Sequence, residues 1–341
     1  MVMKKIFLIA LTALMLSAVA AGCRSAGSGS ASGDALDTAS SAAGAWTPDR
    51  EIQVIVAYPS GSGTDTSARL LLADAYKYVG QILAVENIEG ADGKLGFTAL
   101  AAAKPDGYTI GFINLPTFTT LALEPDSPFT ITRVEPICTH LFEPAVVVVS
   151  KDSPYKTLRE LIDACKESGQ LKCATNGNRA SGHTGAQLFA KAAGFNYKAV
   201  PYNGAAEQLA ALQQEKADFS VLKLGDVIAL QMDENTAPRM LAVFAENRLE
   251  RYPDLPTMKE LGLGIGWYGG ARALVAPVGT PQAAIDFYAD AFKKTMADEK
   301  CIADHEAAGF SMNYMGPAEL KELLAEQDAF CRAVVLPLYE D

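Results

Sequence analysis

The residues best placed to do chemistry lie together in Val54-Ile-Val-Ala-Tyr-Pro-Ser-Gly-Ser-Gly-Thr-Asp-Thr-Ser-Ala-Arg69. Their potential is in the backbone. Ser60, Gly61, Ser62 and Gly63 make a loop of small residues that lets a ligand reach main-chain amides. Thr64 or Asp65 is then placed to cap a helix running through Leu70, Leu71, Leu72 and Tyr76. The first amides of a helix have no intrahelical acceptor and stand at the positive end of its dipole, so this unit suits an organic anion. Asp65 is expected to cap the helix or order the loop, not to touch the anion. Two kinds of catalysis fit poorly. Gly61-Ser62-Gly63 lacks the GxSxG pattern and has no His–Asp partnership by spacing. No Lys-Ser/Thr follows the glycines, as a Walker phosphate loop requires.

The elements that must position this loop are short strands alternating with helices. The apolar run Ile52–Ala57 reads as a buried strand, and Gln81–Asn87 as a second. A second Gly-rich loop, Ile88–Gly96, carries Ala91 and Gly93 and enters a helix over Phe97–Ala103. A third strand, Tyr108–Ile113, leads to Asn114 and Thr117, whose side chains can bond a ligand. This spacing predicts a parallel, doubly wound sheet, with ligands beyond the carboxyl ends of its strands. The loops at 59–65, 87–96 and 114–117 then converge on one cleft. Pro125–Pro136 reads as a connector and Ala145–Val149 as a buried strand. A second α/β unit follows, with helices over Leu158–Lys166, His183–Ala193 and Ala205–Gln214. Its strands are expected over Leu171–Thr175, Tyr197–Pro201, Ala217–Leu224 and Met240–Ala245. Ala271–Ala276 returns to the first unit, and helices over Ala283–Met296 and Pro317–Cys331 finish the chain. Two crossings between lobes are expected, near residues 145 and 268.

The 341 residues, 49% hydrophobic and 20% charged, are enough for two ordinary domains. Lys4 and Lys5 precede the apolar stretch Ile6–Val19, which ends at Ala20-Ala21-Gly22-Cys23. That is a secretory signal with a lipobox, although Ala20 stands where leucine is usual. Residues 1–22 are therefore expected to be removed, Cys23 to carry lipid, and residues 23–45, rich in Gly, Ala and Ser, to tether the fold outside the cytoplasm. The net charge of −11, without a basic patch, excludes nucleic acid as a partner. Five of the six cysteines follow Cys23, and Cys165/Cys173 and Cys301/Cys331 are possible bridges. No CxxC pair or Cys/His cluster points to a metal, and no cofactor is expected.

A family resemblance enters through eight segments in order. Pro59-Ser-Gly-Ser-Gly-Thr-Asp65 resembles the PxGGGTD loop of the tripartite tricarboxylate transporter receptors, the Bug family of solute-binding proteins. Glu86-Asn87 with Gly90-Ala-Asp-Gly93 is similar to its ENxxGAxG segment, and Pro105-Asp-Gly-Tyr-Thr109 to PDGYT. Asn178 with Ser181-Gly-His183 resembles NGxSGH, and Val200-Pro-Tyr-Asn-Gly204 resembles VPYxG. Tyr252–Thr257, Gly266-Trp-Tyr-Gly269 and Ala276–Pro281 resemble the C-terminal signatures. The resemblance spans residues 50 to 320.

It implies a two-lobed α/β Venus flytrap of the periplasmic-binding-protein type II class, two doubly wound domains joined by two crossovers. Lobe 1 would comprise residues 46–144 and 268–341, and lobe 2 residues 145–267. Such a receptor is a non-enzymatic monomer that hands a small carboxylate, here a di- or tricarboxylate, to membrane transporter subunits. The resemblance places one ligand carboxylate on the lobe 1 loops, through amides and bridging waters. It assigns the distal group to the second lobe, where Asn178, Ser181 and His183 occupy matching positions. His183 either lines the site or caps the helix, and Tyr202 offers a hydroxyl or an aromatic wall. Arg179 stands where glycine is common and is a candidate for a second carboxylate. Leu222 and Lys223 replace an Asp-Asn pair, so a Lys223 facing the cleft favours plain carboxylates. Asp92 departs from a small residue and faces either solvent or a ligand amino group. Trp267 and Tyr268 are expected to pack the hinge. The alternatives are a membrane-anchored sensor or scaffold without a transport partner and, further off, a hydrolase.

Overall fold

Residues 46–177, 179–229 and 237–339 are described by the computed structural model. The signal, Cys23, the tether and Asn178 lie outside the described residues. The chain begins with β1 (Ile52–Val56), α1 (Gly63–Val79), β2 (Leu83–Asn87), α2 (Lys94–Ala102), β3 (Thr109–Leu115) and the short α3 (Thr117–Ala122). β1 lies between β2 and β3 and is parallel to both. Its alternating and then continuous burial reflects helices on both faces of the sheet.

The long β4 (Val134–Val149) organises the rest. A second α/β unit follows it: α4 (Leu158–Ser168), β5 (Lys172–Thr175), α5 (Ser181–Ala193), β6 (Lys198–Pro201), α6 (Ala205–Gln213), β7 (Phe219–Lys223), α7 (Leu224–Ala229) and β8 (Arg239–Val243). The chain returns through β9 (Gly269–Pro277) and closes with α8 (Gln282–Met296), α9 (Glu299–Ala307) and α10 (Pro317–Phe330). The sheet order is β2-β1-β3-β9-β4-β7-β5-β6, with β8 also on β4. β4 changes partner along its length. Val134–Pro144 runs against β9, and Ala145–Val149 against β7 and β8.

Two expectations need correcting. The sheet is mixed, because β9 is antiparallel to β3 and β4, and β4 is antiparallel to β7 and β8. Residues 134–136 belong to β4, not to a connector. Pro136 hid the strand, since proline cannot donate to a ladder; it sits at a register shift, where that loss is tolerated.

Each half has apolar layers on both sheet faces. In the first, Leu71, Tyr288 and Phe292 pack one face, while Phe97, Phe118 and Leu320 pack the other. In the second, Leu161, Phe189 and Phe219 form one layer, and Leu209, Leu212 and Val227 the opposite one. The possible cysteine bridges are absent: Cys138, Cys165, Cys173, Cys301 and Cys331 are all free and buried. They act as small apolar core side chains.

Candidate functional site

A cleft of about 490 Å³ opens at the carboxyl ends of β1, β3 and β7. One wall is the start of α1. Ser62 caps that helix with extended backbone, and its hydroxyl accepts from the amide of Asp65 at 3.3 Å. Asp65 braces the loop from behind, accepting from the Gly61 amide at 2.9 Å and from Arg69 and Asn87. Burial opposes ionisation of this carboxyl, but those hydrogen bonds win and hold it below the usual carboxylate range. The amides of Gly63 and Thr64 line the cleft and have no acceptor among the described residues. A side chain on Gly63 is excluded, because its Cβ would overlap Asp226 Oδ1 and come within 2.9 Å of Arg272 Nη2.

The floor carries charges. Arg272, 1% exposed on β9, donates to Ser67 Oγ at 3.1 Å, pairs with Asp226 of α7 and stands 3.9 Å from Glu143 of β4. Lys223, at the end of β7, is 8% exposed, lines the cleft and has no hydrogen-bond partner among the described residues. Burial and the Arg272 charge lower its ammonium to about 8, while burial raises the Glu143 carboxyl to about 7. Asp226, Arg272 and Glu143 were missed in sequence. Arg272 had left a signal, a lone charge in the apolar run 271–276, which demands buried partners.

The sequence matches the profile of the family described as "Tripartite tricarboxylate transporter family receptor" across residues 67–336. The chain belongs to this receptor family. A Cupriavidus necator relative, "UPF0065 protein in gbd 5'region", is 32% identical over 254 residues, covering 73% of this chain and 75% of the relative. The solved periplasmic binding protein BugD is similar at TM-score 0.76 and 27% identity, over 83% of this chain and 95% of BugD. MatC from Rhodopseudomonas palustris, solved with bound malate, is similar at TM-score 0.74 and 25% identity, over 83% and 97%. The family and these neighbours are solute-binding proteins, and the two-lobed type II binding-protein fold is theirs also.

Of the residues singled out in sequence, Ser62, Gly63, Thr64, Ala91, Gly93, Asn114, Ser181 and Lys223 line the cleft of this receptor. Ser60 and Gly61 lie on the exposed outer side of the loop, and Asp65 is buried behind it. Thr117 accepts from the Ser181 amide at 3.1 Å, and Asn176 Oδ1 from the Gly182 amide at 2.9 Å, so protein oxygens already occupy the start of α5. Tyr202 packs against the Leu209–Val227 layer instead of the cleft.

Arg179 and His183 also turn away from the cleft. The Arg179 guanidinium lies 5.2 Å from the Tyr339 ring, and its amide donates to His183 Nδ1 at 3.1 Å. The His183 ring contacts Tyr339 edge-on, and burial and then Arg179 lower its imidazole to about 4. Asp92 does not simply face solvent, since its carboxylate lies against Gly177 of the opposite wall. Tyr268 walls the cleft and donates to Ser181 O at 2.7 Å, whereas Trp267 stacks on Phe142 at 4.4 Å beside the crossover.

Proposed function

We propose that this receptor captures a small organic carboxylate, a di- or tricarboxylate in preference, outside the cytoplasm and passes it to a membrane permease without chemical conversion. The observation that carries the reading is Lys223. A nearly buried ammonium without a hydrogen-bond partner among the described residues shares a cleft with the open amides of Gly63 and Thr64. Burying a cation in this way is costly unless an anion completes it. One ligand carboxylate would take the α1 amides. A second would pair with Lys223 and approach the start of α6, which Gly204 caps without a side-chain acceptor. The diacid preference no longer uses Arg179. MatC, the neighbour solved with malate, has the same kind of ligand.

In this reading the lobes are residues 46–144 with 268–341, and 145–267. The chain is a monomer held to the membrane through lipid on Cys23, and no helix among its described residues is long and apolar enough to cross one. Calorimetric titration of the purified protein with succinate, L-malate, citrate and tricarballylate tests the reading. Saturable binding with the acid recovered unchanged is expected. Absence of binding by all four, or their conversion, overturns it.

A further inference from the structure

Next to the amides that face the cleft stand two oxygen acceptors. Asn114 Nδ2 donates to Thr64 Oγ1 at 2.8 Å, which leaves Asn114 Oδ1 buried and without a partner. Asn114 is 5% exposed and lines the cleft. On the other side, the Asp226 carboxylate lies over Gly63 with one oxygen on Arg272. The anion-binding amides of Gly63 and Thr64 therefore have an amide oxygen and a carboxylate oxygen within one residue's reach.

We infer that the solute carries a hydrogen-bond donor, a hydroxyl or an ammonium, on the carbon adjacent to the carboxylate held by α1, and that Asn114 and Asp226 select it. The inference rests on the carboxylate reading of the same cleft. A plain alkane acid would place C–H groups against Asn114 Oδ1 and leave that acceptor dry and unpaired. Its carboxylate would also lie near the Asp226 carboxylate, which is paired with Arg272, and would bring no donor to the oxygen left over. A donor on the adjacent carbon removes both penalties, and sites built to bond such a group reject analogues that lack it. The inference replaces the expectation that a cleft-facing Lys223 favours plain carboxylates, since Lys223 is assigned to the second carboxylate and Asp226 stands by the first. Asp226 also separates the two kinds of donor. Its negative charge stabilises an ammonium more than a hydroxyl, whereas Asn114 Oδ1 accepts from either.

Matched acids test this by calorimetry on the purified protein: succinate against L-malate and L-aspartate, propionate against L-lactate and L-alanine, and tricarballylate against citrate. In at least one set the substituted acid is expected to bind about tenfold or more tighter than its parent. Asn114→Leu should shrink that ratio to within about threefold, whatever it does to the affinity common to both acids. Asp226→Asn should weaken an amino acid and spare the hydroxy acid, with thermal melts confirming that both variants fold. Equal affinity of parent and substituted acids overturns the selectivity and leaves the carboxylate reading standing, since water then serves the acceptors. Failure of all eight acids to bind overturns both.

Discussion

Lys223 makes the sharpest residue-scale prediction. Replacing it by Met should weaken a dicarboxylate by roughly tenfold to a hundredfold in calorimetry, the range for losing a charged hydrogen bond. Wild-type affinity should also fall as pH rises through about 8, where the unliganded ammonium loses its proton. The ligand anion favours the charged form, so binding takes up a proton near that pH, and the Met variant should lose this dependence. A pH-independent wild type would remove Lys223 from the binding step. Gly63 tests the floor from the other side. Gly63→Ala forces a methyl into Asp226 and Arg272 and should cost about 1–3 kcal/mol in urea unfolding. The same change in an Asp226→Ala background should cost less, because the carboxylate it strikes is gone. Arg179 yields the opposite expectation. Arg179→Ala should leave carboxylate affinity within about twofold, as its guanidinium lies over the Tyr339 ring, a half-buried cation–ring contact worth roughly 0.5–2 kcal/mol of stability.

At the scale of elements, what was legible in the sequence followed local signals. The Ile52–Val56 run and the small-residue loop before α1 announce a strand and an open helix start, and the structure has both. α7 went unread, apart from Leu224 as the end of the preceding strand, because Leu224-Gly-Asp-Val-Ile-Ala is too short for helical periodicity to show. α3 and α9 went unread; α3, at six residues, is likewise too short to show a period. The direction of a side chain at a loop end was not legible either. Arg179 has φ near +60°, which turns its chain toward Tyr339, and nothing in residues 176–183 foretells that C-terminal neighbour. The floor was missed for the same reason. Arg272, Asp226 and Glu143 come from β9, α7 and β4, and they meet only because β4 and β9 pair antiparallel beside the end of β7.

The whole molecule responds to pH through its buried histidines. His183 has its imidazole lowered from the usual 6.5 to about 4, so between those values the folded protein binds fewer protons than the unfolded chain. Stability is then fully present above about 6.5 and is lost as pH falls toward 4, by an amount on the order of 3 kcal/mol. His140, fully buried and lowered, acts in the same direction, whereas Glu143, raised to about 7, acts in the opposite one over the same range. His183→Gln should make the change in urea midpoint from pH 7.5 to 4.5 less negative than in the wild type; an unchanged slope would place the acid sensitivity elsewhere. The buried thiols have another consequence. Burial raises Cys165 and Cys301 to about 12 and Cys331 to about 11, far from the thiolate form that alkylating reagents need. With all five described cysteines silent, a preparation starting after Cys23 is a ready chassis for optical sensing. One cysteine introduced at the cleft rim would take a fluorophore cleanly and turn solute capture into a colour change.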